Sequence, residues 1–404
     1  MFNSMKFKVV LFGFIFTFFS SFGQSYFLGL FNSSIRETLS ITHGQFGSIY
    51  ASATLLSSFI LVWVGKKIDD FDILKFASYV IVLLAISCFL FSKISSVFFL
   101  FFSIFLMRLS GQGLMSHTAT TTISRFFEKT RGRALSTTWL GLSLAEFILP
   151  LLIIFLLTFI DWRNIWIIIS ILVIVILPII TFWLVKDIKL DSREASNTPD
   201  IKSKNIKQWS RIEVLKDYRF YIVCLNMLAM PWIATGTFVY QSFIVTSKEW
   251  GPYVIAQSFM VYSILSVLTL FLSGFMIDKF SSRKLLIYMN IPLLASTLIL
   301  HYFNSPFSAY IFLGLIGISN GLANVLGSAT WAEIYGVKHI GSIKALTTAL
   351  MVFSTAFGTA LFGVLIDNNF SIEQIAVVSA SYILIAILLL FFIKNKLNPR
   401  YLEN

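Results

Sequence analysis

Two ionisable residues stand alone in apolar stretches of the sequence, and their types suggest a chemistry for binding anions. Arg108 lies in "FLMRLSGQGLM", residues 105–115, and Glu146 lies in "WLGLSLAEFILPLL", residues 139–152. A guanidinium stays charged at physiological pH and binds a carboxylate through two parallel hydrogen bonds. A carboxyl group in an apolar environment can take up and release a proton. Together, the two types suit anion binding coupled to proton movement.

The elements that must position these residues are membrane-spanning helices. The chain has 404 residues, 57% of them hydrophobic and 12% charged, which excludes a water-soluble domain of this size. Because about 20 apolar residues cross the hydrocarbon core as a helix, we predict an all-α membrane protein. The twelve predicted spans are residues 7–31, 45–64, 73–92, 96–119, 134–159, 164–184, 219–245, 254–275, 284–303, 307–330, 344–366 and 372–393.

Lysines and arginines are unevenly distributed around these spans. With a cytoplasmic N-terminus, 26 of the 31 Lys and Arg residues lie in cytoplasmic segments, four lie outside, and Arg108 alone lies within the membrane. Short cytoplasmic loops carry such an excess of positive charge, so we predict that both termini are cytoplasmic. Composition suggests a bacterial inner membrane. The net charge of +12 then reflects topology and attraction to anionic lipid, and it gives no indication of nucleic-acid binding.

Arg108 and Glu146 are predicted to be close together near the middle of the membrane. Each lies about twelve residues into its span, on predicted helices 4 and 5, which run in opposite directions. An arginine at this depth costs about 2.5–3.5 kcal/mol and needs a partner or a cavity. Three interpretations remain open. In the first, the two residues form a permanent structural ion pair. In the second, Arg108 binds an anionic substrate while Glu146 carries a proton. In the third, both line a cavity without either role.

The sequence also indicates two related halves joined by a linker. "GKKIDD" at 65–70 recurs as "GFMIDK" at 274–279, and "GQGLM" at 111–115 resembles "SNGLA" at 319–323, with offsets of 209 and 208 positions. Parallel repeats of six helices are typical of transporters that bind substrate between the halves. We predict an N-terminal bundle over 1–184, a cytoplasmic linker over 185–218, and a C-terminal bundle over 219–404.

The loop after predicted helix 2 and its repeat after helix 8 resemble the major facilitator superfamily, whose motif there is G-x-x-x-D-R/K-x-G-R/K-R/K. The second copy is close to the motif, whereas the first has Asp70 at the basic position. The family uses this loop as a cytoplasmic gate, and positive-inside anchoring is the alternative. The resemblance extends over essentially the whole chain. The gate residues that it implies are Gly65, Asp69, Gly274, Asp278, Lys279 and Arg283.

The same resemblance implies that helices 1, 4, 7 and 10 line a central cavity. Each predicted helix carries polar residues at helical spacing, although hydrogen bonding between helices would explain any one of them. The family's arginine and glycine pattern in helix 4 is approximated by Arg108 and the glycines after it. The candidate substrate-binding residues are Arg108, Gln24, Gln112, Asn320, Asn324, Trp331 and Tyr240, with Glu146 for proton coupling.

These features favour a secondary transporter that takes up a small organic anion with a proton. The sequence contains no phosphate-binding loop or metalloprotease motif, so we predict no enzymatic step, catalytic residue, cofactor or metal site. The working unit is predicted to be a monomer. An exporter of apolar compounds is the alternative, although helix 5 lacks the glycine and proline pattern of the family's drug exporters. A membrane receptor or scaffold that transports nothing is the alternative from another class.

Overall fold

The chain folds into helices that are long and apolar enough to cross a membrane. The computed structural model describes residues 4–127, 130–186, 188 and 207–398, without the side chains of Asp278 and Ser328, and these residues contain no strand. The all-α fold with twelve spans is confirmed for this part of the chain. The spans, numbered helix 1 to helix 12, are Met5–Gly23, His43–Asp69, Ile73–Ser92, Val97–Phe126, Arg131–Leu157, Trp162–Val185, Tyr218–Val239, Pro252–Ile277, Ser282–Tyr302, Pro306–Tyr335, Ile340–Asp367 and Ile372–Leu397.

The chain divides into two compact units. The first comprises residues 1–198 together with 238–242, and the second comprises 199–237 together with 243–404. Most of the predicted linker, residues 187 and 189–206, lies outside the described residues. The end of the linker belongs to the second unit, because Trp209 and the short helix Arg211–Lys216 pack onto it. We call Arg211–Lys216 the linker helix.

Polar residues in the connections define where several helices begin. The side chains of Thr42 and Ser371 each accept a hydrogen bond from the backbone N–H three residues later. In return, the side-chain oxygens of Gln45 and Gln374 accept from the backbone N–H groups of Thr42 and Ser371. These reciprocal contacts satisfy backbone N–H groups that a helix start leaves without partners. The apolar spans therefore begin at defined residues, which fixes the depth of the side chains along them.

Small residues allow neighbouring helices to approach closely. A Cβ atom at Gly317 would overlap the carbonyl of Tyr262 on helix 8, and one at Gly141 would overlap the carbonyl of Phe14 on helix 1. Because lipid tails are as apolar as the side chains, such close packing is a main source of helix association in membranes. The contact of helix 5 with helix 1 brings Glu146 to the level of the residues after Ser20.

A buried ion pair joins the linker to the second unit. Asp217 and Arg219 lie 2.8 Å apart with side chains 4% exposed, and the hydroxyl of Tyr335 donates to Asp217 at 3.1 Å. Arg219 also donates to the carbonyl of Lys396 at 2.8 Å and lies over the ring of Trp209. Each buried charge thus has a counter-charge and further polar partners, which offset the cost of its desolvation.

We predict that Asp217→Asn destabilises the second unit strongly. The substitution leaves the buried Arg219 without its counter-charge, a change that costs about 3–5 kcal/mol. The measurement is the melting temperature of the detergent-solubilised protein. Asp70→Asn is the matched control, because Asp70 forms an exposed pair with Lys67 and its loss changes stability by about 0.5 kcal/mol or less. Equal melting temperatures for the two variants would contradict the prediction.

Candidate functional site

Helix 1 ends at Gly23, and the helical backbone is interrupted at Gln24; we call this interruption the opening of helix 1. The sequence had predicted one continuous span to residue 31. Gln24 has an extended backbone, with φ −82° and ψ 151°, and short helical turns from Ser25 lead to the helix Asn32–Leu39. The opening interrupts the regular backbone hydrogen bonding of the helix. Non-helical backbone at membrane depth is tolerated where protein surrounds it or where it lines a cavity, so the opening marks a candidate site.

Helix 4 also departs from α-helical geometry beside this opening. Residues Arg108–Met115 form a π-helix between two α-helical segments, Val97–Met107 and Ser116–Phe126. The hydroxyl of Ser110 donates to the carbonyl of Leu106 at 2.7 Å. The π-helix is rare and is found frequently at functional sites. It begins at Arg108, the residue that the sequence singled out.

Two glycines bring the irregular parts of helices 1 and 4 into backbone contact. A Cβ atom at Gly23 would overlap the carbonyl oxygen of Met107 and the backbone nitrogen of Gln112. A Cβ atom at Gly111 would lie 2.7 Å from the nitrogen of Gly23. Only glycine permits this approach on both sides.

Arg108 is buried in this contact and is surrounded by neutral groups. Its side chain is 3% exposed, and its Nη1 donates to the carbonyl of Gly23 at 3.1 Å and to the hydroxyl of Ser25 at 3.2 Å. The guanidinium lies over the ring of Tyr50 on helix 2, whose hydroxyl donates to Ser25 at 3.0 Å. Among the described residues, Nε and Nη2 have no hydrogen-bond partner.

The predicted ion pair between Arg108 and Glu146 is absent, so that sequence-based interpretation is wrong for this structure. No described carboxylate lies within 4.0 Å of Arg108. The reason is the opening of helix 1, because it releases the carbonyl of Gly23 and presents it to the guanidinium together with the hydroxyl of Ser25. Sequence reasoning missed Gly23 and Tyr50 as partners, since neither is distinguished by its type or spacing.

Glu146 lies at the same opening but contacts other groups. It is buried on helix 5, which packs against the short helical turns on either side of Gln24. Within the described part of the chain, its carboxyl group makes no hydrogen bond and no ion pair. The opening of helix 1 therefore receives a basic residue from helix 4 and an acidic residue from helix 5, and these two do not neutralise each other directly.

The remaining predicted substrate-binding residues differ in their surroundings. Gln24 and Gln112 flank the backbone contact in the first unit, are half-buried, and have side-chain amides without partners among the described residues. In the second unit Asn320 donates to Ser266 at 3.0 Å, and Asn324 is exposed. A substrate-binding role stays a prediction for Gln24, Gln112, Asn320 and Asn324.

Two predicted substrate-binding residues are buried among other protein groups. Trp331 is 1% exposed, stacks on Tyr335 and packs against Phe220 in the core of the second unit. Tyr240 is also buried, and its hydroxyl donates to the carbonyl of His43 at 2.9 Å. Burial of both side chains does not favour a substrate-binding role, which stays a prediction for each of them. The sequence placed both on lining helices but could not show which way they face.

The candidate gate loop of the first unit is tied to helix 4. Arg125 forms an ion pair with Asp69 and donates to the carbonyl of Ile68 at 3.4 Å. The Nε2 atom of His117 lies 3.0 Å from the carbonyl of Gly65. The helix that carries Arg108 therefore also holds both ends of this loop.

The corresponding loop of the second unit is tied to helix 10. Arg283 pairs with Glu333 at 2.9 Å, and the backbone nitrogen of Ser282 donates to Glu333 at the same distance. Lys279 is exposed, and Gly274 has open space around it. The side chain of Asp278 lies outside the described residues. Sequence reasoning missed Arg125 and Glu333, because the predicted helices 4 and 10 ended at residues 119 and 330, before either charged residue.

Comparison with known proteins agrees with this architecture. The family model of the Major Facilitator Superfamily matches residues 13–256 and 222–403, and the chain belongs to this family of membrane transporters. A comparison with curated proteins finds no match.

Solved structures share the fold at low sequence identity. One is a bacterial homologue of the human lysosomal transporter Spinster, in an inward-facing and unoccupied conformation, with TM-score 0.71, 12% identity, and coverage of 97% of this chain and 98% of that one. Another is the nucleoside transporter NupG, with TM-score 0.73, 14% identity, and coverage of 96% of this chain and 99% of that one. At these identities the likeness shows the fold alone.

We predict that Gly23→Ala disrupts the site. The added methyl group overlaps the backbone of helix 4, so helices 1 and 4 must separate at a cost of about 1–3 kcal/mol. The measurement is the melting temperature in detergent together with solute uptake by cells. Gly132→Ala is the control, because a Cβ there meets nothing within 4 Å and its added methyl favours the helix. A Gly23→Ala variant with the stability and uptake of the parent protein would refute the backbone contact.

Proposed function

We propose that the chain is a secondary transporter that takes up a small organic anion together with a proton across the cytoplasmic membrane. Both termini lie in the cytoplasm in this proposal, and a monomer is the working unit. The carboxylate of the substrate binds Arg108, Gln24 and Gln112 hydrogen-bond its other polar groups, and Glu146 carries the proton. Membership of a transporter family supports the movement of a small solute.

The observation that carries the anionic part is a buried guanidinium without a counter-charge among the described residues. Carbonyl and hydroxyl oxygens satisfy Nη1 of Arg108, but they do not neutralise its charge. The Nε and Nη2 atoms form the edge of the guanidinium that binds a carboxylate by two parallel hydrogen bonds. This edge has no partner among the described residues, so an anion completes both the charge balance and the hydrogen bonding.

Charge balance at the opening also supports coupling to a proton. With Arg108 positive and Glu146 ionised, the empty site has no net charge, and the site with both an anion and a proton bound has none either. Binding either ion alone leaves one uncompensated charge at membrane depth, which costs several kcal/mol. The half-loaded states are therefore disfavoured, and the two ions move together. Because Glu146 makes no hydrogen bond or ion pair with described residues, protonating it breaks no contact.

The gate residues retain the role implied by the family. In this proposal, the loops that carry Gly65 and Asp69 in the first unit, and Gly274, Asp278, Lys279 and Arg283 in the second, form the cytoplasmic gate. The ion pair of Asp69 with Arg125 and that of Arg283 with Glu333 support it, because each ties a loop to a predicted lining helix.

We predict that Arg108→Gln weakens binding of the transported carboxylate by about 30-fold or more. Loss of one partner of a buried, hydrogen-bonded charge pair costs about 2–5 kcal/mol. The measurement is uptake into proteoliposomes over a concentration series, with a panel of small carboxylates beside neutral solutes, a nucleoside included, and cations. Arg133→Gln is the matched control, since Arg133 is exposed.

The solute panel separates the alternatives. If a carboxylate is transported and Arg108→Gln leaves its apparent affinity unchanged, Arg108 is a structural residue and the anion proposal fails. If a neutral or apolar solute is transported and no carboxylate is, the substrate class is wrong while the transporter assignment stands. Binding of a solute without flux would favour the receptor alternative.

We predict that Glu146→Gln abolishes substrate-driven proton movement. The amide cannot bind the coupling proton, so the carboxylate should still bind while a pH-sensitive dye inside the proteoliposomes reports no acidification. Exchange of labelled for unlabelled carboxylate is measured in parallel, because exchange requires no net proton transfer. Glu37→Gln is the control, since Glu37 is exposed. Acidification by Glu146→Gln at the rate of the parent protein would assign the proton to another group.

A further inference from the structure

The linker helix and the start of helix 7 expose a row of apolar and aromatic side chains. The row consists of Ile212, Leu215, Tyr218 and Tyr221, spaced three residues apart, and Ile212 is 68% exposed. Ile212 and Leu215 precede the membrane span, in a segment that an aqueous environment would surround. Exposed apolar side chains grouped in this way are typical of surfaces that bind a membrane or a partner.

A hydrogen bond joins the linker helix to the start of helix 7. The hydroxyl of Tyr221, in the first turn of helix 7, donates to the carbonyl of Leu215 at 2.8 Å. The last turn of the linker helix therefore lies beside the first turn of the span. Tyrosine is enriched at the level of lipid headgroups, and two of the four residues in the row are tyrosines.

The charges on the linker helix are positive in sum. Arg211 and Lys216 are exposed, whereas Lys207 forms an ion pair with Glu213 at 2.9 Å. The backbone N–H of Ser210, with Lys207, lowers the pKa of Glu213 to about 2, so this carboxylate stays ionised and balances Lys207 at physiological pH. Asp217 and Arg219 neutralise each other in the interior. Of the charges on described residues 207–219, two positive ones, those of Arg211 and Lys216, therefore remain beside the apolar row.

The surface is also held in place before it meets a ligand. Ser210 and Glu213 form a capping box at the start of the linker helix. Trp209 is buried, and its backbone N–H donates to the carbonyl of Tyr335 at 3.0 Å. Val214 is packed in the core of the second unit. Little conformational entropy is thus lost when this surface binds.

We propose that the linker helix and the first turn of helix 7 bind anionic phospholipid at the face of the membrane, with the apolar row inserted among the lipids and with Arg211 and Lys216 at the headgroups. A short apolar face flanked by basic residues is the pattern of interfacial helices. Each basic residue close to an anionic surface adds attraction, so phosphatidylglycerol is preferred to zwitterionic phosphatidylcholine. This inference does not depend on which solute the protein transports.

The test uses the full-length protein in lipid nanodiscs with a polarity-sensitive fluorophore at Ile212→Cys. The native Cys88 and Cys224 are buried, and replacing them by alanine removes background labelling. We expect acrylamide, an uncharged quencher that an anionic surface does not repel, to quench the fluorophore about twofold less in nanodiscs that contain phosphatidylglycerol than in pure phosphatidylcholine, with emission shifted to the blue. Adding Arg211→Gln and Lys216→Gln should remove this difference between the lipids. High salt should reduce it in the parent protein.

A probe at Val337→Cys is the matched control, because Val337 is an exposed apolar residue of the second unit outside the row. Its quenching should be the same in both lipids. Equal quenching of the Ile212 probe in the two lipids would overturn the proposal. So would a lipid preference that survives loss of both basic groups, because the attraction would then not be electrostatic. Each labelled variant should melt at the same temperature as the parent protein, which shows that an altered fluorescence signal does not come from unfolding.

Discussion

The need to satisfy one buried guanidinium shapes the first unit. Arg108 is held by a carbonyl that is available only because helix 1 opens after Gly23, and the opening fits only because Gly23 and Gly111 let two backbones touch. The π-helical segment of helix 4 begins at the same residue. An intact helix 1 would offer the guanidinium no carbonyl. The irregular backbone, the contact between the two glycines and the position of the arginine therefore depend on one another.

This arrangement also explains why Arg108 and Glu146 remain apart. A direct ion pair would neutralise both groups and would leave an incoming anion to compete with a carboxylate at membrane depth. Neutral oxygens fix the position of the guanidinium without cancelling its charge, so the charge stays available to a ligand. The same separation leaves Glu146 able to change its protonation state without breaking a hydrogen bond among the described residues. Position and charge are thus supplied by different groups, which suits a site that must bind and release its ligand.

Much of the fold follows from hydropathy, whereas the site required the structure. The number of spans was predictable because each needs about 20 apolar residues, and Arg108 was recognisable because its cost in lipid is high. The opening at Gln24 was not predictable, since serines and a glutamine occur in intact helices and the choice depends on the contact with helix 4. The direction of Trp331 was missed for a related reason. Helical spacing gives the residues that share a face, but packing with Phe220 and Tyr335 decides whether that face is core or cavity.

In each half of the internal repeat, an ion pair ties the region after the second helix of that half to its fourth helix. In the first unit, the acid Asp69 lies in the loop and the base Arg125 on helix 4. In the second unit, the base Arg283 lies in the first turn of helix 9 and the acid Glu333 on helix 10. Arg125 and Glu333 are 208 positions apart, which is the offset of the repeat, whereas Asp69 and Arg283 are 214 apart, so only the partner on the helix occupies an equivalent position. Coulomb attraction is unchanged when the two partners exchange signs, so either order ties the loop to its helix. A repeat judged by residue identity alone would miss this correspondence, because the two residues at the helix position carry opposite charges.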